Sequence, residues 1–296
     1  MRITCYLKTY PCPDKPGRIL LVATRRCSVL ELSTELWNRM RDGSDLSRNE
    51  RETFIRLGVL VSDRDAEREE MRATFETINR TSRHLEISVT LTLECNLACP
   101  YCYEAPFRGR YVMSPETADL LIQRLRECMA DGMDVTVDFY GGEALMRLDL
   151  LRMIAARLQD AATRCAVAFD FNLFTNGVLL TRCVVKELLP LGLKAVRLTI
   201  DGPPDIHNVQ RPFISGQGSF AVIMANLRDI HTLVPVDLGG NYTRENYQRF
   251  PELLDLFVEQ GIEPARMKAI SFSPVMPRAD GSVAGDFGST CACTAE

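Results

Sequence analysis

The chain of 296 residues is long enough to bury a large core, as one domain or two. Its 46% apolar and 25% charged residues fit an ordinary globular protein and exclude general disorder. A net charge of −4 gives no electrostatic footprint for nucleic acid, and no apolar run approaches the ~18 residues that span a bilayer. The opening "MRITCYLKTYPCPDKPG" lacks the apolar core of a signal peptide, so a cytoplasmic location is expected. In that reducing compartment eleven cysteines are not a disulfide framework, and clustered ones are expected to be metal ligands or catalytic thiols.

Residues 1–80 read as a separate, small α+β unit of winged-helix type. "RITCYLKTY" and "GRILLVATRRCSVLELS" have strand character and are joined by the turn "CPDKPG". Two short helices, "STELWNRMRDG" and "SRNERETFIRLG", precede a strand-like "VLVS". "RDAEREEMRATFETINR" reads as a charged connecting helix, its charge run a solvated face.

From residue 81 to 275 strands and helices alternate. "ISVTLTL" is the first strand and "SPETADLLIQRLRECMADG" the first helix. Ser114 suits its N-cap, Pro115 its first turn, and Gly132 its end. Ala118, Leu121, Ile122, Leu125, Cys128 and Met129 give that helix one apolar face. "DVTVDFY", "AFDFNLFTN", "AVRLTI", "VDLGGNYT" and a segment near "RMKAISFSPV" supply five more strands, with helices between them. Six βα units imply a parallel sheet covered by helices, curled into a partial (β/α)6 barrel. Chemistry in such folds gathers at the C-terminal strand ends. The cysteines from Cys95, then Gly141-Gly142-Glu143, Thr175-Asn176-Gly177 and Asp201-Gly202 all fall there.

"LECNLACPYCYE" spaces three cysteines as Cys95-x3-Cys99-x2-Cys102. Structural zinc wants four ligands, and no second pair or histidine is near. A 4Fe–4S cluster takes four thiolates, so three would leave one iron open. Spacing alone leaves both metals in play. Cys128, Cys165 and Cys183 stand among apolar residues as small core hydrophobes, and Cys5, Cys12 and Cys27 are scattered.

These residues carry a family resemblance. The three-cysteine motif with Tyr101 inside it, "FYGGEAL", "LFTNG" and "RLTIDGPPDIHNVQRP" together resemble the radical SAM superfamily over roughly residues 85–275. The resemblance implies that Cys95, Cys99 and Cys102 bind a 4Fe–4S cluster whose open iron chelates S-adenosylmethionine. Reductive cleavage would then give a 5′-deoxyadenosyl radical that abstracts a substrate hydrogen. It also implies cofactor-binding roles for seven residues. Gly141 and Gly142 would let the backbone approach the methionine moiety, and Glu143 would accept from its ammonium. Ala144 stands where the family usually has proline. Thr199 would touch the adenosine or the carboxylate side, and Arg211 would pair with the carboxylate in bidentate fashion. Asn176 would hydrogen-bond the cofactor or cap its own turn, and Tyr101 would offer backbone and a ring edge to adenine. His207 is expected to hold its loop.

Within the superfamily, "CNLACPYCYE" with "GQGSF" looks most like the peptide- and protein-modifying, SPASM-associated branch. The leading expectation is a maturase that forms a thioether or carbon–carbon cross-link in a ribosomally made precursor peptide. Residues 1–80 would bind that peptide, and a flavodoxin or ferredoxin would donate electrons. Cys291 and Cys293 fall where a cysteine-rich domain with auxiliary 4Fe–4S clusters would begin, so residues 276–296 are expected to be its truncated start. The alternatives are a sulfatase-type maturase that oxidises a cysteine or serine, and a non-catalytic metal-binding peptide-recognition module.

Overall fold

A computed structural model describes residues 1–12, 14–43 and 46–275. Cys291 and Cys293, and the auxiliary-cluster expectation attached to them, lie outside the described residues. The chain divides into two compact units, Met1–Ser82 and Arg83 onward.

In the first unit come β1 (Arg2–Ile3), β2 (Leu7–Pro11), β3 (Arg18–Ala23), β4 (Ser28–Ser33), α1 (Thr34–Arg41), α2 (Arg48–Arg56), β5 (Leu60–Val61) and α3 (Arg64–Thr81). Strands β2, β3 and β4 form an antiparallel sheet, and β1 pairs antiparallel with β5. "GRILLVATRRCSVLELS" is therefore a hairpin rather than one strand. Its polar centre turns, with Arg26 N–H on the Ala23 carbonyl and Cys27 at φ 51°. Ser33 caps α1 by accepting from Leu36 N–H, and Ser47 with Glu50 closes a capping box on α2. Leu21, Met40, Phe54 and Val59 make the small core. Helix α3 is not only a solvated connector. Glu67, inside its charge run, is 3% exposed and accepts from Thr4 Oγ1 (2.5 Å), Cys5 N–H (3.1 Å) and Arg25 (3.4 Å), which ties α3 to β1 and β3 ends of its own unit.

The second unit alternates as its sequence pattern demands. In order run β6 (His84–Thr92), α4 (Pro115–Ala130), β7 (Asp134–Gly141), α5 (Leu148–Cys165), β8 (Phe169–Thr175), α6 (Arg182–Leu188), β9 (Leu193–Thr199), α7 (Pro204–Gln210), α8 (Phe220–Ile230), β10 (Val236–Tyr242), α9 (Phe250–Glu259) and β11 (Ala269–Pro274). The six strands lie side by side in chain order, β6 to β11, all parallel. This is the partial TIM-like barrel. Ser114 accepts from Thr117 N–H at the start of α4, whose Ala118, Ile122, Leu125 and Met129 are buried. Helix α7, in the segment after β9, is an addition to the expected series.

Alternation along each strand separates two chemistries. Val135, Val137 and Phe139 of β7 are fully buried with the helices, and Phe139 packs edge-on against Phe171 of β8 at 5.3 Å. The other face is polar and aromatic. There Asn172 donates to Asp138 (2.8 Å), Thr136 donates to Asp170 (2.6 Å), and Lys194 pairs with Asp170 (2.7 Å). Among the described residues no helix is long and apolar enough to cross a membrane.

Candidate active site

The C-terminal ends of the strands open on one cavity of about 690 Å³. Cys95, Cys99 and Cys102 form one wall, with Tyr101 between the last two. Gly141 and Gly142 after β7, Asn176 after β8, Thr199 at the end of β9, and Arg211 after α7 line it as well. One expected residue is absent from the wall. Glu143 is 1% exposed, and its carboxylate is engaged inside the protein by Leu145 N–H (3.0 Å), Thr175 Oγ1 (2.8 Å) and Asn176 N–H (2.8 Å). Burial raises its pKa, and these donors work against the shift. Glu143 thus braces the end of β7 to the end of β8, and the backbone of the two preceding glycines is what the cavity meets.

The glycines have a structural cause beyond room for a ligand. A Cβ on Gly141 would lie 2.3 Å from the Thr92 carbonyl oxygen, and one on Gly142 would lie 2.3 Å from that of Glu94. Gly142 N–H donates to the Thr92 carbonyl (3.0 Å) and Glu143 N–H to that of Glu94 (2.8 Å). Two backbones therefore run in contact here, and one of them leads into Cys95. Gly141, at φ 129°, also takes a conformation that favours glycine.

The thiols sit in a defined field. Cys95 Sγ accepts from Leu97 N–H (3.5 Å) and faces Asn176 Nδ2 (3.8 Å), which also donates to Asn96 Oδ1 (2.7 Å). Burial pushes the Cys95 thiol up and the Cys99 thiol up to about 11. The Arg211 guanidinium opposes the rise at Cys99, and the nearby Asp201, Cys95 and Cys102 add to it. Among the described residues no three His, Cys, Asp or Glu side chains are grouped to hold a single ion. An iron–sulfur cubane takes each thiolate on a different iron, and three thiols lining one cavity are the donor set that would hold it with one iron left open.

Tyr101 joins the cysteine loop to a buried network. Tyr101 Oη donates to Asp201 Oδ2 and accepts from Arg211 Nη1 (2.8 Å) and Asn241 Nδ2 (3.2 Å). Its hydroxyl is thereby engaged while the residue still lines the cavity, and burial holds its pKa well above the usual phenol. Asp201 Oδ1 also accepts from Asn241 N–H (2.8 Å), and the Arg211 guanidinium lies 4.0 Å from Asp201. Burial opposes charge on Arg211, but Tyr101, Cys99 and Asp201 outweigh it and raise its pKa. Among the described residues Arg211 Nε is buried with no hydrogen-bond partner and is closed to water. The side chain still lines the cavity as a cation only 9% exposed, and its guanidinium suits a carboxylate, as the amino-acid end of S-adenosylmethionine presents.

His207, fully buried, holds the loop behind this network. Asp201 N–H donates to its Nδ1 (3.2 Å), so the ring proton sits on Nε2 and goes to Ser219 Oγ (3.1 Å), whose own proton goes to the Arg211 carbonyl (2.6 Å). Burial lowers its pKa to about 3. Asp201 and Ser219 lie inside the segments "RLTIDGPPDIHNVQRP" and "GQGSF" without standing out there as site residues, and Asn241 has no motif; their roles come from partners 6 to 140 positions away in sequence.

Comparison with known proteins completes the picture. The model of the radical SAM superfamily matches residues 89–257. The chain is 29% identical over 180 residues to the Fe-coproporphyrin III synthase of Methanosarcina barkeri, covering 58% of this chain and 40% of that one. It is 30% identical over 174 residues to the serine-type anaerobic sulfatase-maturating enzyme of Bacteroides thetaiotaomicron (54% and 41%). With the PqqA peptide cyclase of Granulibacter bethesdensis it shares 27% over 166 residues (56% and 41%). The chain thus spans about two fifths of the length of these three relatives. In fold it is similar to anSMEcpe solved with bound AdoMet and Cp18Cys peptide, at TM-score 0.54 and 19% identity, over 64% of this chain and 51% of that one. Membership of the matched family implies a 4Fe–4S cluster and S-adenosylmethionine, and it favours an enzyme over a non-catalytic metal-binding module. The match extends over more than half of the chain and takes in the thiols, the glycine pair and Arg211 that line one cavity: this chain belongs to the radical SAM superfamily.

Proposed function

We propose that the chain is a peptide maturase that cross-links a ribosomally made precursor, using residues 81–275 as the reaction chamber and residues 1–80 to grip the precursor. In this reading Cys95, Cys99 and Cys102 hold the cluster, and Arg211 with Thr199 takes the S-adenosylmethionine carboxylate. The Gly141–Gly142 backbone meets its ammonium end, and Tyr101 and Asn176 fix the two ends of the cysteine loop. Bound there, the two cofactors supply one-electron cleavage of the sulfonium and hydrogen-atom abstraction from a substrate. The chain's own residues do the rest. Asn176 and Leu97 donate N–H groups toward the Cys95 sulfur, and Glu143 fixes the strand ends. Asp201, Tyr101 and Asn241 keep Arg211 in place.

The observation that carries this reading is the cavity itself, which all three thiols line together with Arg211. Likeness to PqqA peptide cyclase and to a fold solved with a bound peptide supports a peptide substrate. A second reading, oxidation of one serine or cysteine of a protein, is supported by 30% identity to a serine-type sulfatase-maturating enzyme.

The test is anaerobic reconstitution with iron and sulfide, followed by reduction with S-adenosylmethionine present. Four irons per chain and 5′-deoxyadenosine are expected, and Cys95→Ala, Cys99→Ala and Cys102→Ala should each abolish the nucleoside. Stoichiometric zinc with no nucleoside would overturn the proposal. Mass spectrometry of a co-expressed precursor separates its two forms: a loss of two hydrogens with a new internal bond, or a residue oxidised without one.

A further inference from the structure

Below the level of Thr199 the cavity carries a second cation. Arg197 lies two residues back along β9, on the order of 7 Å deeper, and shares the inner face with Thr199. Register places it beside Phe174 of β8, and its guanidinium carbon lies 5.8 Å from that ring's centroid. Tyr140 of β7 packs edge-on against the other side of Phe174 at 5.3 Å. Arg197 Nη2 reaches Ser271 Oγ of β11 at 3.5 Å. The head group is thus propped by an aromatic row and one hydroxyl. It forms no ion pair among the described residues.

Its neighbours make that conspicuous. Asp170 is taken by Lys194, Asp237 pairs with Lys268 at 3.8 Å, and Arg211 lies against Asp201. Glu104, on the cysteine loop, is the other lining charge without an ion pair, and burial raises its pKa.

Gly239 of β10 supplies an independent observation. It pairs in register with Thr199 on one side and Ser271 on the other. Its φ is not in the left-handed region, and a Cβ added there would meet nothing closer than 3.8 Å, the nearest atom being Arg197 Nε. Neither backbone conformation nor packing requires glycine here. By contrast, a Cβ on Gly240 would strike the Ile200 carbonyl oxygen at 2.4 Å. What Gly239 does is leave volume open beside the Arg197 guanidinium.

We propose that Arg197, Phe174, Ser271 and the space over Gly239 form a carboxylate-binding subsite for the peptide substrate, separate from the cofactor's Arg211. This rests on the peptide-maturase reading. A guanidinium with unspent donors binds a carboxylate through paired N–H groups, and Arg197, although exposed, has its head group placed by Phe174 and Ser271. The carboxylate comes from an acidic side chain near the modified residue or from the peptide's C terminus.

The test uses the iron-reconstituted chain and three pentapeptide probes, with dissociation constants read by saturation-transfer NMR. The probes are acetyl-Gly-Ala-Glu-Ala-Gly-amide, its glutamine counterpart, and the glutamine peptide with a free C-terminal carboxylate. At least one carboxylate probe should bind ten-fold or more tighter than the neutral one, and which one identifies the source. Arg197→Gln should erase that preference, Arg197→Lys should keep part of it, and Gly239→Leu should weaken the preferred probe at least ten-fold. Unchanged melting temperatures confirm that the variants fold. Because an added Cβ at Gly239 meets no atom closer than 3.8 Å, Gly239→Leu keeps the test alive should Arg197→Gln fold poorly. A preference that survives both Arg197→Gln and Gly239→Leu overturns the proposal. So does its abolition by S-adenosylmethionine, which would hand Arg197 to the cofactor. A wild-type chain that binds the acidic probe but forms no 5′-deoxyadenosine overturns the enzyme reading instead.

Discussion

Replacing Gly142 by alanine tests whether the glycine pair exists to seat the cysteine loop. The new Cβ would sit 2.3 Å from the Glu94 carbonyl oxygen, 2.8 Å from its carbon and 2.9 Å from the Leu93 carbonyl carbon. These are all backbone atoms, and they fall about 1 Å short of the ~3.5 Å at which carbon contacts turn attractive. The Thr92–Glu94 segment must therefore retreat, and the hydrogen bond from Glu143 N–H to Glu94 is stretched or lost. Overpacking of this kind costs about 1–3 kcal/mol, and the lost bond adds about 1 kcal/mol, so about 2–4 kcal/mol is expected. Urea unfolding of the metal-free chain under reducing conditions reads that loss directly. Iron bound after reconstitution should fall as well, because Cys95 follows Glu94. Gly142 does not take a positive φ, so collision is the whole of the expected strain. A Gly142→Ala chain with wild-type stability and full iron content would refute the reasoning.

Three further outcomes follow from the same contacts. Glu143→Ala leaves three buried donors unpaired and should cost 3 kcal/mol or more, at ~1–3 kcal/mol for each unsatisfied group, whereas Glu143→Gln keeps acceptor capacity and should cost less; urea midpoints distinguish them. Asn176→Ala removes the amide facing Cys95 Sγ, and a redox titration should find the cluster's potential more negative, since hydrogen bonds to sulfur favour the reduced state. Cys128→Ala should bind iron as the wild type does, because Cys128 sits on α4 and does not line the cavity.

A fourth concerns pH. His207 is neutral in the fold, with a pKa of about 3 against about 6.5 when unfolded. Protonation would set a second N–H against that of Asp201, so the unfolded chain binds the proton more readily. The stability from neutral His207 is fully present above pH 6.5 and is lost as pH falls toward 3. By linkage the loss between pH 7 and pH 5 is about 2 kcal/mol. The difference in unfolding free energy between the wild type and His207→Gln should shrink by that amount over the same interval. An unchanged difference would show that the imidazole is not held neutral.

The strand and helix series was legible because each element carries its own period. Val135, Val137 and Phe139 alternate, and Ala118, Ile122, Leu125 and Met129 recur at helical spacing, whatever the rest of the chain does. The positions of Cys95, Gly141 and Asn176 at strand ends followed from that series and the chain direction. What each group touches did not follow, because it depends on register between strands 30 to 140 residues apart. Glu143 reads in sequence as a free carboxylate beside a glycine pair, yet it is spent on donors 32 and 33 positions away. Tyr101 reads as an aromatic in a metal loop, yet its hydroxyl is claimed from positions 100, 110 and 140 residues on. Arg197 shows the boundary most clearly. A cation alternating with apolar residues in "AVRLTI" announces an inward polar face to anyone reading the period. That it lacks a carboxylate partner is a fact about β8, β10 and β11. A parallel sheet puts those three strands beside one another only after the whole unit has folded. Gly239 completes the point, since a glycine needed by neither conformation nor collision is recognisable only once the space beside it has been seen.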